Sequence, residues 1–341
     1  MKSNTLRHIF IFDFKENVFD DALTTSAIIL LAKDNNNEKV HFSTIKDMKQ
    51  LNKIPNIIKD YPNNNGEITI NKKELNPNIK WRIYYQEQQS KKYKNLIPFK
   101  SVAKVVRGIA TGANDYFVFN KNKALKFNIE ANNLLPCITK SKDIKNPFFT
   151  KDDFENLEHK NSNIYLFNAG KYPTNKNILN YIKMGENKEI HKKYLTSKRN
   201  PWYSLENRQP SPIWVGVFNR NGIKFIRNET KLSNLTTFHC IYLVNNLFYD
   251  IDIDLFFAYL LTDVAKQILN DNRREYGNGL KKFEPNDLNN ASILDLSILS
   301  RENKEKVINL YNKYRKSVIN NKEEILHINK IDELLKIEYG A

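Results

Sequence analysis

A chain of 341 residues can hold one large hydrophobic core or two of ordinary size. Its 54 Lys and Arg against 38 Asp and Glu leave a net charge of +16, which favours anionic partners, nucleic acid before an anionic membrane surface. No apolar run reaches the ~18–20 residues of a membrane span, Lys2, Arg7 and Asp13 interrupt any signal-like N-terminus, and Cys137 and Cys240 stand alone, so a reduced cytoplasmic protein is expected.

Residues 8–33 alternate and then run apolar. They predict a strand over Ile9–Phe14, a loop through Asp20–Asp21 and a buried strand over Ser26–Ala32. A continuous apolar strand of this kind belongs in the middle of a sheet covered on both faces. A polar turn at Asp34–Glu38 leads to a third strand, Lys39–Thr44. A weak helix over 46–60, a short strand at Ile68–Ile70 and a loop through Pro77 follow. Residues 82–95 are very polar, and a domain boundary is expected within 85–97.

The second block opens on VAKVVRGIATGANDYFVF, residues 102–119, which reads as a hairpin turning around Gly112–Asn114. Strands are expected at Leu134–Lys142, Ile164–Phe167, Ile213–Phe218, 223–227 and Leu235–Leu243, and short helices at Lys176–Met184 and Lys188–Leu195. Asp252–Asn270 is the clearest helix, with Asp252 or Asp254 as N-cap. A basic Gly-containing turn comes next, then two amphipathic helices at Arg301–Asn320 and Lys322–Ile337. The fold class is α+β: a mixed β-sheet domain with peripheral helices and a C-terminal helical pair, preceded by a partial Rossmann-like sheet fragment.

No catalytic set is visible. The six His have no HxxxH or HExxH spacing, so no metal site is expected. Gly108-Ile109-Ala110-Thr111-Gly112 lacks the GxGxxG spacing that brings backbone against a pyrophosphate. It does suit a backbone that passes close to something. Of the Asn-Pro dipeptides, Asn200-Pro201-Trp202-Tyr203 lies nearest to an Asn-Pro-Pro-Tyr loop that would hold a base amine, but Trp202 replaces the second Pro. It is read as a packing or backbone-contact element.

The positive evidence is the recurrence of cations and rings. Leu195–Asn228 holds two of the three Trp, three Pro and six basic side chains. Arg and Lys interleaved with flat rings suit a polyanion carrying stacked bases. The candidate DNA-binding residues are Arg107, Thr111, Asn114, Lys140, Lys142, Lys198, Arg199, Arg208, Arg220, Arg227, Asn228, Arg273, Arg274, Tyr276 and Lys281. Arg reads guanine, Asn reads adenine, and Lys holds phosphates. Because Asn and Lys are abundant throughout, part of this charge is expected to be solvated surface.

The ordered segments VFDDALTTSAIILL, RGIATGANDYFVF, LLPCITKSKDI, LTSKRNPWY, FNRNGIKFIRN, LTTFHCIYL and RREYGNGLKKFEPNDLNN resemble the C-terminal half of TaqI-like gamma-class N6-adenine DNA methyltransferases of type II restriction-modification systems. The resemblance implies that residues 1–95 are the last part of a methyltransferase catalytic domain with its linker, and that 96–341 form a target recognition domain. It also implies that Phe19, in the Val-Phe segment, contacts a flipped adenine. The Gly-rich turn that binds S-adenosylmethionine and the Asn-Pro-Pro-Tyr loop precede that segment in the family and are missing from this sequence. This chain is therefore expected to hold no cofactor of its own and to need a catalytic half, with S-adenosylmethionine bound there and double-stranded DNA as the common partner. The alternative from another class is a non-catalytic interaction subunit that docks a partner protein through its terminal elements.

Overall fold

The computed structural model describes residues 5–13, 26–35, 38–63, 65–219, 222–244, 251–275 and 280–340. It is a mixed α+β chain with several small sheets and, among the described residues, no closed barrel. Two compact units are formed, Met1–Lys91 with Arg273–Lys282, and Lys92–Asn272 with Phe283–Ala341. No helix among the described residues is long and apolar enough to cross a membrane.

The first unit is built on a four-stranded sheet of β1 (Leu6–Phe12), β2 (Ala27–Leu31), β3 (Lys39–Ile45) and β4 (Ile68–Asn71), in the order β2-β1-β3-β4. β1 and β3 are parallel; the outer pairings are antiparallel. Alternation along β1 and β3 sends Phe10 and Ile45 to one face, where Ile54 covers them. Val40 and Phe42 go to the other face, and Phe42 lies under Tyr84 and Tyr85, with centroids at 6.4 and 5.9 Å. His8 is enclosed in the sheet, stacked on Phe10 at 4.1 Å with Nε2 2.9 Å from Ser43 Oγ. Burial, with a smaller push from His41, lowers its pKa to about 4, so the ring is neutral at pH 7.

β2 corrects the expectation of a buried central strand. It is an edge strand, and Ile28, Ile29 and Leu31 are 40, 56 and 60% exposed. An apolar run fixes what surroundings a strand favours, whereas a neighbour on its far side must come from other residues. None of the described residues supplies one.

In the second unit a five-stranded sheet runs Ala103–Arg107, Phe238–Leu243, Ile213–Gly216, Phe225–Asn228, Phe148–Phe149. Period-2 alternation divides its side chains between two layers. Val105, Ile213, Val215 and Phe225 face the helical core. Trp214 and Ile226 face Ile138 and Ile164 of a second sheet side. That second sheet has the order Ser233–Asn234, Leu134–Ile138, Tyr165–Phe167, Val118–Phe119. The expected hairpin over 102–119 is therefore not formed. Its two strands lie in different sheets, with a short helix, Asn114–Phe117, between them.

The helical layer contains Ile253–Leu261, Asp263–Asn270, Arg301–Ile319 and Leu326–Tyr339. Asp252 caps the first, accepting from the backbone N–H of Asp254 and Leu255. The single helix expected over 252–270 breaks at Thr262, which is extended (ψ 158°) and whose hydroxyl accepts from Ala265 N–H to start a second helix. The break is reinforced from the last helix, where buried Asp332 accepts from Val264 N–H at 2.8 Å.

Candidate nucleic-acid interface

The Ala103–Arg107 strand leaves its sheet at Gly108, where Ile109 N–H donates to Asn234 O at 2.9 Å. The chain then turns through Gly112, whose φ of +76° suits the absence of a side chain. A Cβ there would lie 2.7 Å from Leu195 Cβ, so the 195–199 segment is seated on this turn. Arg199 holds the two together. Its guanidinium donates to Thr111 O at 3.0 Å and to Ala110 O, and lies 6.0 Å from the Phe117 ring centroid. Thr111 is buried; its hydroxyl accepts from Ala113 N–H at 3.1 Å and donates to Asn114 Oδ1. Burial pushes the Arg199 pKa down, against a raising effect from Glu206.

Glu206 organises the neighbouring cations. It accepts from Arg107 at 3.0 Å and from Arg208 at 3.2 Å. Lys198, next to Arg199 in the chain, is exposed, and the Arg208 Nε is buried without a hydrogen-bond partner among the described residues. Glu206 and Arg208 line a cavity of about 560 Å³ with Leu135, Pro136 and Leu232. Gln209, Pro210 and Lys231 also line a cavity of about 770 Å³ containing Arg227, Asp254 and Arg315, so the two meet along the 209–210 strap.

The structure thus gathers Arg107, Thr111, Asn114, Arg199 and Arg208 around one turn, and Lys198 is the exposed residue preceding Arg199. Arg227 sits in the larger cavity, donating to Asp254 at 3.3 Å and to Pro212 O at 3.1 Å. Asn228 is buried, and its amide donates to Ser211 O and Leu232 O at 2.8 and 3.0 Å. Lys140 precedes and Lys142 lies within a short turn, Ser141–Asp143, where Lys142 lines a third cavity with Lys145, Lys224 and Lys266. Arg273, Arg274 and Lys281 belong to the first unit, where Arg274–Glu275 pairs antiparallel with Lys281–Lys282. Phe19, Arg220 and Tyr276 lie outside the described residues.

Sequence reasoning passed over Glu206, a lone acid in a basic stretch, and Arg315, which makes a two-pronged ion pair with Glu229 at 2.7 and 2.6 Å. Arg315 meets Glu229 across 86 residues and Glu206 meets Arg107 across 99, so neither long-range pair is visible in the sequence around it. Asn200-Pro201-Trp202-Tyr203 packs inward. Trp202 lies 5.5 Å from Tyr116 and would collide with a Cβ on Gly185, while Tyr203 donates to Lys171 O at 3.3 Å. Its rings are committed to the protein, which does not fit a cradle for a base amine. Among the described residues no group of His, Cys, Asp and Glu is placed to hold a metal ion.

The family described as type II methyltransferase M.Eco57I, C-terminal domain, matches residues 83–335. The chain is 56% identical over its full length to type II methyltransferase M.AccI of Acinetobacter calcoaceticus, and spans 63% of that protein. The crystal structure of the type IIG restriction endonuclease BpuSI aligns with 91% of this chain and 39% of its own, at 14% identity and a TM-score of 0.44.

Proposed function

The chain belongs to the type II methyltransferase M.Eco57I C-terminal domain family, and on that premise we propose that it binds double-stranded DNA sequence-specifically, as the target recognition part of an N6-adenine DNA methyltransferase. The observation that carries this reading is the convergence of Arg107, Arg199 and Arg208 on the 107–114 turn and on Glu206 beside it. Arg199 serves as the internal brace of that turn. Arg107 and Lys198, both exposed, supply charge for phosphates. Asn114 accepts the Thr111 hydroxyl through Oδ1, which leaves its NH₂ to read an acceptor on a base edge.

The test is an anisotropy titration of the chain on random-sequence and site-bearing duplexes. Micromolar or tighter binding at low salt is expected, weakening about tenfold or more between 50 and 200 mM salt as counterions are released. No binding at low salt would sink the reading.

Methyl transfer would require a catalytic part that binds S-adenosylmethionine and presents the adenine to Phe19. The inward packing of Trp202 on Tyr116 and of Tyr203 on Lys171 O leaves no cradle for a base amine at Asn200-Pro201. The exposed β2 edge, with Ile28, Ile29 and Leu31, is the surface on which such a part would continue the sheet. An Ile29→Lys, Leu31→Lys chain is expected to lose association with a separately produced catalytic part in gel filtration. Undiminished co-elution would rule out docking at this edge.

A further inference from the structure

We infer that Tyr194 is a nucleobase-stacking residue of the DNA-binding face, an inference that rests on the DNA-recognition reading above. The residue is 79% exposed. The backbone beneath it is nonetheless fixed on both sides. Two 3₁₀ turns, Ile190–Lys192 and Thr196–Lys198, flank it. Ser197 N–H donates to Lys193 O at 2.8 Å, and the Ser197 hydroxyl donates to Tyr194 O at 3.1 Å. Thr196, fully buried, directs its hydroxyl to Ile190 O and to Lys193 O. The next residue, Leu195, is the one seated against Gly112, so the tyrosine stands directly beside the turn that carries Thr111 and Asn114.

A large ring held outward on a rigid turn gains nothing from folding, because it buries little area and its hydroxyl has no protein partner among the described residues. The charges around it specify the ligand. Lys192, Lys193 and Lys198 are exposed; Lys192 is paired with Glu189 at 2.6 Å, whereas Lys193 and Lys198 make no ion pair among the described residues. An unpartnered aromatic face between unpaired ammonium groups matches a polyanion with flat rings, which is nucleic acid. In this arrangement the lysines take phosphates and the phenol ring covers the face of a base left without a stacking neighbour.

The experiment uses the whole chain and one mixed-sequence duplex, titrated at several salt concentrations. Tyr194→Ala is expected to lower affinity about tenfold with the slope of log affinity against log salt unchanged, because a ring neutralises no phosphate. Tyr194→Phe is expected to bind as the unaltered chain does, and both variants to keep its thermal midpoint. Lys193→Ala, Lys198→Ala supplies the contrast by making the slope shallower by about one to two. If the unaltered chain binds and Tyr194→Ala binds equally well, or loses affinity only through a changed slope, the stacking role is overturned while DNA recognition stands. If the unaltered chain does not bind DNA, the recognition reading fails and this inference with it.

Discussion

Gly108→Ala is expected to destabilise the second unit by about 3 kcal/mol or more and to weaken DNA binding with it. A Cβ at this position would lie 2.3 Å from Leu235 O and 2.5 Å from Asn234 Nδ2, well inside van der Waals contact. Neither neighbour can yield cheaply. The Asn234 amide is held by Leu235 O and Phe238 O at 3.0 and 2.9 Å, and Gly108 N–H itself donates to Phe238 O at 3.2 Å. Making room for one methyl group must break part of this set or displace the 109–114 turn, and that turn carries the proposed contacts. Urea unfolding followed by circular dichroism, with a duplex titration on the same protein, measures both effects. A variant with the parent's midpoint and affinity would mean that the close approach contributes nothing.

The second large effect is expected at Trp214. Its side chain is fully buried between Phe238, stacked at 5.9 Å, and Phe149 at 5.7 Å. Trp214→Ala removes that packing and leaves a cavity, at a cost of about 3–5 kcal/mol. Trp214→Phe is expected to cost much less. It keeps most of the ring contact and also removes an indole N–H that has no hydrogen-bond partner among the described residues. Equal losses for the two variants in equilibrium unfolding would contradict this account.

These two positions show how far a basic, aromatic stretch can be read. Leu195–Asn228 looks uniform as sequence, yet Trp214 is interior, Trp202 is packed on Tyr116 and Gly185, and Phe218 is exposed, as is Tyr194 just outside the stretch. Gly108 was legible as a place where backbone passes close to something, and that something is the carbonyl of Leu235. The helix break at Thr262 did have a local signal, a Thr followed by Asp, but apolar periodicity continues across it and hides the cap. β2 went the other way: its composition predicted cover on both faces, and it lies at an edge.

The sequence by itself determined the charge, the types of most elements and the family, because composition, periodicity and short motifs are properties of neighbouring residues. Only the tertiary structure decided which cations act together. Arg107 meets Glu206 across 99 residues and Arg199 braces carbonyls 88 and 89 residues back, while Asn228 is drawn into the interior to tie two loops. A guanidinium or an amide is committed by the acceptor within about 3 Å of it, and sheet pairing and packing bring that acceptor from a distant part of the chain.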